Sequence, residues 1–105
     1  SMAAGEVSKP LTMTTVGGTG GAVGATTAEL TLPTARVVHV TVTTAAVVRL
    51  GPSGVTVTTA NGTIITPDSG GLILDTMGFV SIASIRVALN GVAAGDGLIC
   101  VNPVR

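Results

Sequence analysis

Residues 79–89 read FVSIASIRVAL, and this stretch decides the fold because its side chains would alternate between the two faces of an extended chain. One face would carry Phe79, Ser81, Ala83, Ile85, Val87 and Leu89, and the other face the intervening residues. A period of two with many β-branched residues is typical of a strand. Because both faces are largely apolar, we expect this strand to lie in the centre of a sheet or at a contact between subunits.

The same alternation recurs on either side of a series of turn sequences. Residues 38–43 read VHVTVT and residues 55–58 read VTVT. Sequences rich in Gly, Asn, Asp and Pro separate these runs at residues 51–54, 61–62, 67–71, 90–91 and 95–97. Asn-Gly supplies the positive φ angles that tight hairpins require. No segment shows a helical period over the length of a helix, so the sequence predicts an all-β protein, an antiparallel β-sandwich or jelly-roll-like barrel.

The chain of 105 residues divides into two parts. Residues 1–28 predict an N-terminal arm, in which only residues 11–16 (LTMTTV) resemble a strand. Residues 17–25 are so rich in Gly that they predict a flexible linker. Residues 29–105 have the length and the pattern of one β-sandwich domain with a single core.

The composition is poor in the side chains that catalysis and metal binding use. There are five acidic and five basic residues, one His, one Cys and neither Trp nor Tyr. Active sites need several converging ionisable groups, so we expect no enzyme, no cofactor and no metal site. The net charge is zero, without the basic stripe and stacking aromatic residues of a nucleic-acid-binding protein or the basic patch and long apolar segment of a membrane protein.

The mean hydropathy of +0.72 is high for a soluble protein, and one small domain offers little interior in which to bury so much apolar surface. This surplus predicts burial between subunits, and therefore a homo-oligomer. The candidate interface residues come from the strand-like run of the arm and from the doubly apolar strand: Leu11, Met13, Val16, Phe79, Ile85 and Val87.

Two acidic residues suggest an alternative that we weighed against the structural interpretation. Small dimeric aspartic proteases carry an Asp-Thr/Ser-Gly loop after an apolar strand, and residues 68–70 (DSG) match that triplet. However, Asp68 follows a proline, and Asp75-Thr76 is followed by Met77 where the motif requires Gly. Pro-Asp-Ser-Gly-Gly is also an ordinary turn composition, which is the preferred interpretation.

The remaining polar residues favour structural roles. His39 has no second His or Cys at metal-ligand spacing, so we expect a half-buried or interface residue. Cys100 lies in an apolar run and is expected to be a small buried residue. We expect Arg36, Arg49 and Arg86 to point to solvent, with pairing to Asp75 or Asp96 across faces or subunits as the alternative.

The order of these elements resembles small all-β virion proteins of tailed bacteriophages, of the head decoration (cement) or head-fibre type. The resemblance extends over residues 36–104. It is carried by a strand ending in a Gly turn (46–51), a Thr/Val strand (55–59), a Gly-Gly-apolar-Asp phrase (71–75) and a final pair of strands (82–87 and 98–104) joined through a Gly-Asp-Gly turn. The family's usual Asn-x-Gly opening is replaced by residues 42–45 (VTTA), which leaves the subgroup open.

The resemblance implies a structural subunit on the surface of a phage capsid, commonly a trimer, that binds the major capsid protein after assembly in the host cytoplasm. A ligand that binds only the assembled state stabilises that state by mass action. The alternative is a tail-associated or host-surface module that binds glycans. Only Phe79, Asp68, Asp75 and Asp96 offer the aromatic and acidic groups that such a site favours.

Overall fold

The computed structural model describes residues 17–93 and 95–104, and every strand in this part of the chain pairs in antiparallel fashion. The strands are β1 Thr19–Val23, β2 Ala28–Thr31, β3 Val37–Val42, β4 Ala46–Leu50, β5 Thr63–Ile65, β6 Leu72–Asp75, β7 Ser81–Arg86, β8 Ala88–Leu89, β9 Val92–Ala93 and β10 Gly97–Pro103. A 3-10 turn at Pro67–Ser69 precedes β6. The prediction of an all-β protein is confirmed for the described residues.

Two four-stranded sheets form the body of the molecule. Sheet A has the strand order β1-β10-β3-β6 and sheet B the order β2-β7-β4-β5, while β8 and β9 form a separate hairpin. The main core lies between the sheets and is built from aliphatic side chains of both. The fully buried members include Val23, Val38, Val40, Ile82, Ile99 and Val101. Alternate residues of β3 are buried and half-buried, as the period of two predicts.

β7 confirms a central strand but is shorter than the sequence pattern. It lies between β2 and β4 in sheet B and buries side chains on both faces. The strand ends at Arg86, and residues 88–93 form the β8–β9 hairpin instead of continuing it. Asn90 and Gly91 have φ angles of 54° and 78°, the pattern of a type I′ turn, which confirms the predicted turn there.

Residues 55–58 form no strand, which corrects the prediction from their alternating pattern. They belong to the link between β4 and β5, which folds over the outer face of sheet B. There Val57 packs with Ala45, Val47, Ala83 and Val87 in a second, smaller hydrophobic cluster. An alternating run can therefore form a loop that buries one of its apolar side chains, here Val57, without pairing with a neighbouring strand.

Asn61 and Gly62 close this loop. The tight hairpin turn that was predicted from Asn-Gly does not form here. The Asn61 side chain accepts a hydrogen bond from Thr58 N (2.8 Å) and donates one to Thr56 O (2.9 Å). Gly62 is required because a Cβ there would lie 2.7 Å from the carbonyl oxygen of Val48.

The Gly-rich segment is only partly a linker. Thr19–Val23 pairs with β10 along its whole length, and Ala28–Thr31 pairs with β7. These residues belong to the sandwich, which corrects the prediction that residues 17–25 form a flexible linker. The rest of the predicted arm, residues 1–16, lies outside the described part of the chain.

Candidate functional site

An open cleft lies at the end of the sandwich where β2 and β6 end and β3 and β7 begin. Its volume is about 750 Å³, and we call it the end cleft. Two links between the sheets, residues 32–36 and residues 76–80, line it. The lining is mostly apolar: it contains Leu32, Pro33, Ala35, Met77, Phe79 and Val80, with Thr34, Arg36, Asp75, Thr76 and Gly78.

Main-chain hydrogen bonds fix the two links to each other. Thr76 N donates to Arg36 O (2.7 Å), and the Thr76 hydroxyl donates to Ala35 O (3.2 Å). Leu32 N donates to Val80 O (2.9 Å) on the other side of the cleft. Thr76 is buried, so its side chain joins the two links inside the protein. The cleft is therefore a preformed feature of the two links.

A tight turn forms one rim of the end cleft. Met77 and Gly78 have φ angles of 51° and 84°, and Phe79 N donates to Thr76 O (2.8 Å). This is the φ pattern of a type I′ turn. The β8–β9 turn has nearly the same angles with Asn at the first position, the residue that tolerates them best. Met at this position costs conformational energy because its Cβ crowds the backbone.

The side chains of this rim are apolar and exposed. Met77 is 70% exposed, Val80 is 75% exposed and Phe79 is 42% exposed. Scattered apolar residues on a surface need no explanation, but a contiguous group beside a concave surface is typical of a binding site. The rim and the end cleft together form a continuous apolar surface.

An ion pair forms the polar wall of the cleft. Arg36 Nε and Nη2 each lie 3.3 Å from Asp75 Oδ2, and Asp75 Oδ1 accepts a hydrogen bond from Met77 N (2.9 Å). The pKa of Asp75 is lowered, mainly by the Met77 N–H and further by Arg36, although partial desolvation opposes this shift. Asp75 therefore remains ionised and holds the turn. Arg36 is largely exposed, so the pair itself adds little stability.

The acidic residues of the protease alternative do not come together in the end cleft. Asp75 lines it, whereas Asp68 lies in the 3-10 turn after β5, where its Oδ1 accepts a hydrogen bond from the Thr66 hydroxyl (2.8 Å). In a small dimeric aspartic protease the dyad pairs the same aspartate from two chains, so it does not join Asp68 to Asp75 of one chain.

Arg36 and Arg86 each form an ion pair, one at either end of the sandwich, where the sequence favoured solvated side chains and left pairing as the alternative. Arg36 pairs with Asp75, and Arg86 Nη1 lies 2.9 Å from Asp96 Oδ1. The second pair joins the end of β7 to the loop before β10, far from the end cleft.

His39 and Cys100 both lie on the outer face of sheet A. His39 is half-buried, as predicted, and its Nε2 lies 2.9 Å from Gly70 O. Because a carbonyl oxygen only accepts, Nε2 carries the proton. Cys100 is buried, as predicted, and burial raises the pKa of its thiol, although the Asn102 side chain donates to the sulfur (3.3 Å) and partly offsets this. A raised pKa makes the thiol unreactive.

The six candidate interface residues have different positions. Phe79 lies in the end cleft, Ile85 packs half-buried beside the second hydrophobic cluster, and Val87 is buried within that cluster. Leu11, Met13 and Val16 lie outside the described residues. The sequence pattern missed Met77 and Val80, although Gly78 marked a turn between two apolar runs.

Residues 17–93 and 95–104 contain no group of three or more His, Cys, Asp or Glu side chains placed to hold a metal ion. No helix in the same residues has the length and apolarity to cross a membrane. The chain matches no protein-family model, no curated protein and no solved structure.

Proposed function

We propose that this protein is a structural subunit that assembles through protein–protein contacts, with the end cleft and its apolar rim as the contact surface. Following the resemblance to phage head proteins, the larger body is a phage capsid, and the subunit acts as an oligomer, most simply a trimer, on the capsid surface. It has no catalytic role in this proposal.

One observation carries the contact site: Met77 stands exposed at a position with φ 51°. An Asn-Gly turn would form at lower cost, as the β8–β9 hairpin of the same chain does. Strain at an exposed position that displays a large apolar side chain favours a functional reason for the residue. Met is also a frequent anchor of protein interfaces, because its flexible side chain adapts to a partner surface.

The surface around Met77 favours a protein partner. Phe79 and Val80 extend the apolar area of the cleft. The charged side chains of its lining are Arg36 and Asp75, and on binding this ion pair would either lose its water or stay at the edge of the contact. Interfaces are depleted of charged groups at their centre and carry them at their rim. Aromatic residues such as Phe79 are also enriched in such interfaces.

The strand order supports the jelly-roll form of the sandwich. Numbered along the chain without the small hairpin, the eight sheet strands follow the orders 1-8-3-6 and 2-7-4-5. All links between consecutive strands cross from one sheet to the other, except the link from β4 to β5. Jelly rolls are frequent among viral capsid and lectin domains, so this order is compatible with a virion protein, as an argument from fold alone.

The experiment is co-sedimentation of the purified chain with capsids of its phage, for wild type and Met77→Asn. Asn suits φ 51°, so this variant keeps or improves folding while it removes the apolar side chain. We expect it to bind capsids at least about fivefold more weakly, since an anchor residue of an interface contributes more than about 1 kcal/mol. The matched control is Ile64→Ser, which removes an exposed apolar side chain from β5, away from the end cleft.

Equal loss of binding in both variants would point to a general effect of surface hydrophobicity and contradict the assignment to the end cleft. Absence of wild-type sedimentation with capsids would contradict the capsid proposal. Light scattering at rising protein concentration would still test the oligomer independently.

A glycan-binding module is the second candidate, because the end cleft brings Phe79 and Asp75 together. An aromatic face beside a carboxylate is a usual element of sugar sites, whereas Asp68 and Asp96 lie outside this cleft. A titration with glycans of the host surface tests it. Binding that Phe79→Ala abolishes and Met77→Asn leaves unchanged would favour this function over capsid contact.

A further inference from the structure

The chain contains three asparagines, and two of them, Asn61 and Asn90, are followed by glycine. The backbone nitrogen of the following residue can attack the side-chain amide carbon of an asparagine, and glycine hinders this attack least because it has no side chain. The two Asn-Gly pairs therefore have the same local chemistry, and the fold decides how they differ. The third, Asn102, precedes Pro103, whose nitrogen carries no hydrogen and cannot react in this way.

The fold immobilises the first pair. Asn61 Oδ1 accepts a hydrogen bond from Thr58 N (2.8 Å), and its Nδ2 donates to Thr56 O (2.9 Å). Gly62 lies so close to β4 that a Cβ would stand 2.7 Å from Val48 O. Both Asn61 and Gly62 are half-buried. The Asn61 amide can turn towards the Gly62 nitrogen only after two hydrogen bonds break and a packed segment moves.

The second pair has none of these restraints. Asn90 and Gly91 are exposed at the tip of the β8–β9 hairpin, and nothing lies within 4 Å of the position that a Cβ on Gly91 would take. Within the described part of the chain, no side-chain hydrogen bond holds Asn90. The hairpin has two residue pairs and joins neither four-stranded sheet. A short two-stranded hairpin is marginally stable, so it opens often and frees the Asn90 side chain to rotate.

We propose that Asn90 is the site of spontaneous deamidation in this protein, with water as the co-reactant, and that the fold protects Asn61. The Gly91 nitrogen loses its proton and bonds to Asn90 Cγ, and the Cγ–Nδ2 bond breaks to release ammonia, which takes up that proton. The product is a five-membered succinimide ring. Water then adds to either carbonyl carbon of the ring and breaks its bond to the nitrogen, which leaves aspartate or isoaspartate.

Either product changes the hairpin. Residues 88–93 (ALNGVA) carry no charged side chain, so the reaction places a carboxylate on a surface that had none. Isoaspartate also lengthens the main chain by a carbon atom within a turn whose φ angles of 54° and 78° suit only two residues. We therefore expect isoaspartate to separate β8 from β9. The inference does not depend on the proposed function, because the hairpin lies outside the end cleft.

Incubation of the full-length protein at mildly alkaline pH, followed by peptide mapping with mass spectrometry, tests the inference. We expect Asn90 to convert about tenfold or more faster than Asn61 in the folded protein, since hydrogen bonds hold the Asn61 amide. In denaturant the two sites should convert at similar rates, because the protection of Asn61 is then lost. Asn102 should stay unchanged under both conditions and is the internal control.

Gly91→Ala is the matched variant, because its methyl group hinders the attacking nitrogen and meets open space. Its Asn90 should convert several-fold more slowly than that of wild type, and the wild-type product should contain isoaspartate. Conversion of Asn61 as fast as Asn90 in the folded protein would overturn the proposal, as would an Asn90 that reacts only in denaturant. Unchanged conversion in Gly91→Ala, or aspartate without isoaspartate, would contradict the ring intermediate.

Discussion

At the scale of single residues, a few positions are determined by backbone geometry more than by chemistry. Gly71 has a φ of 93°, and a Cβ there would lie 2.8 Å from Val40 O and would overlap the His39 ring. Gly54 also has a positive φ, of 83°, but nothing lies within 4 Å of its Cβ position. Comparing substitutions at these two glycines therefore separates the energetic cost of a positive φ angle from the cost of a steric clash.

We predict that Gly71→Ala destabilises the protein by about 3 kcal/mol or more, because it adds a clash with β3 to the cost of the positive φ. Gly54→Ala should cost only about 1 kcal/mol, since it adds the backbone term alone. Denaturant unfolding of both variants measures this. Equal losses would show that His39 and Val40 move aside without cost.

The lowered pKa of Asp75 predicts that the stability of the folded protein depends on pH. Its pKa is lowered in the folded protein, chiefly by the Met77 N–H, so its contribution to stability is present above the pKa of the unfolded chain. This contribution is lost as the pH falls through the lower, folded value. Asp75→Asn keeps an oxygen for the Met77 N–H but does not titrate in this range.

We therefore expect the difference in stability between wild type and Asp75→Asn to diminish between about pH 5 and about pH 3. The measurement is the denaturant midpoint of both proteins across this range. The effect should be small, because Asp75 is exposed to solvent. A difference that grows as the pH falls would contradict the assigned direction of the shift.

At the scale of elements, the link between β4 and β5 acts as a cover for sheet B. Its Val57 is fully buried against β4 and β7, although no strand forms there. Val57 N donates to the Thr27 hydroxyl (3.0 Å), so the link is also fastened to the segment before β2. The second hydrophobic cluster depends on this loop and not on a third sheet.

Val57→Ala should lower the free energy of unfolding by about 1–3 kcal/mol, because it removes buried methyl groups and leaves a cavity. Val92→Ala, at an exposed position of β9, is the control and should change stability by less than about 0.5 kcal/mol. Thermal or denaturant unfolding compares them. Similar values for both would mean that the loop does not cover sheet B in solution.

At the scale of the whole molecule, the exposed apolar side chains indicate where a subunit that assembles would contact its partners. The rim of the end cleft and the β8–β9 hairpin lie at opposite ends of the sandwich, and Met77, Val80 and Val92 are the most exposed large apolar residues of the described chain. Self-association stabilises the folded state in proportion to the logarithm of concentration.

If the end cleft mediates self-association, the Tm of wild type should rise measurably, by a few degrees over a hundredfold range of protein concentration. The Tm of Met77→Asn should depend less on concentration, whereas that of Ile64→Ser should follow wild type. Differential scanning calorimetry with light scattering measures both properties. A wild-type Tm that stays constant would assign the end cleft to a different partner.

The period of two by itself determined that the described part of the chain is all-β and that residues 81–86 lie inside a sheet, and Asn90-Gly91 by itself determined a turn, because these properties depend on neighbours in sequence. The sequence named Asp75 and Asp96 as the acidic residues within reach of the arginines, but only the structure showed that Arg36 pairs with Asp75 and Arg86 with Asp96. Only the tertiary structure decided that Thr19–Val23 is a strand, since glycine gives no strand signal until β10 pairs with it. The end cleft was likewise decided there, because its two lining links are about 40 residues apart and meet only when the sheets stack.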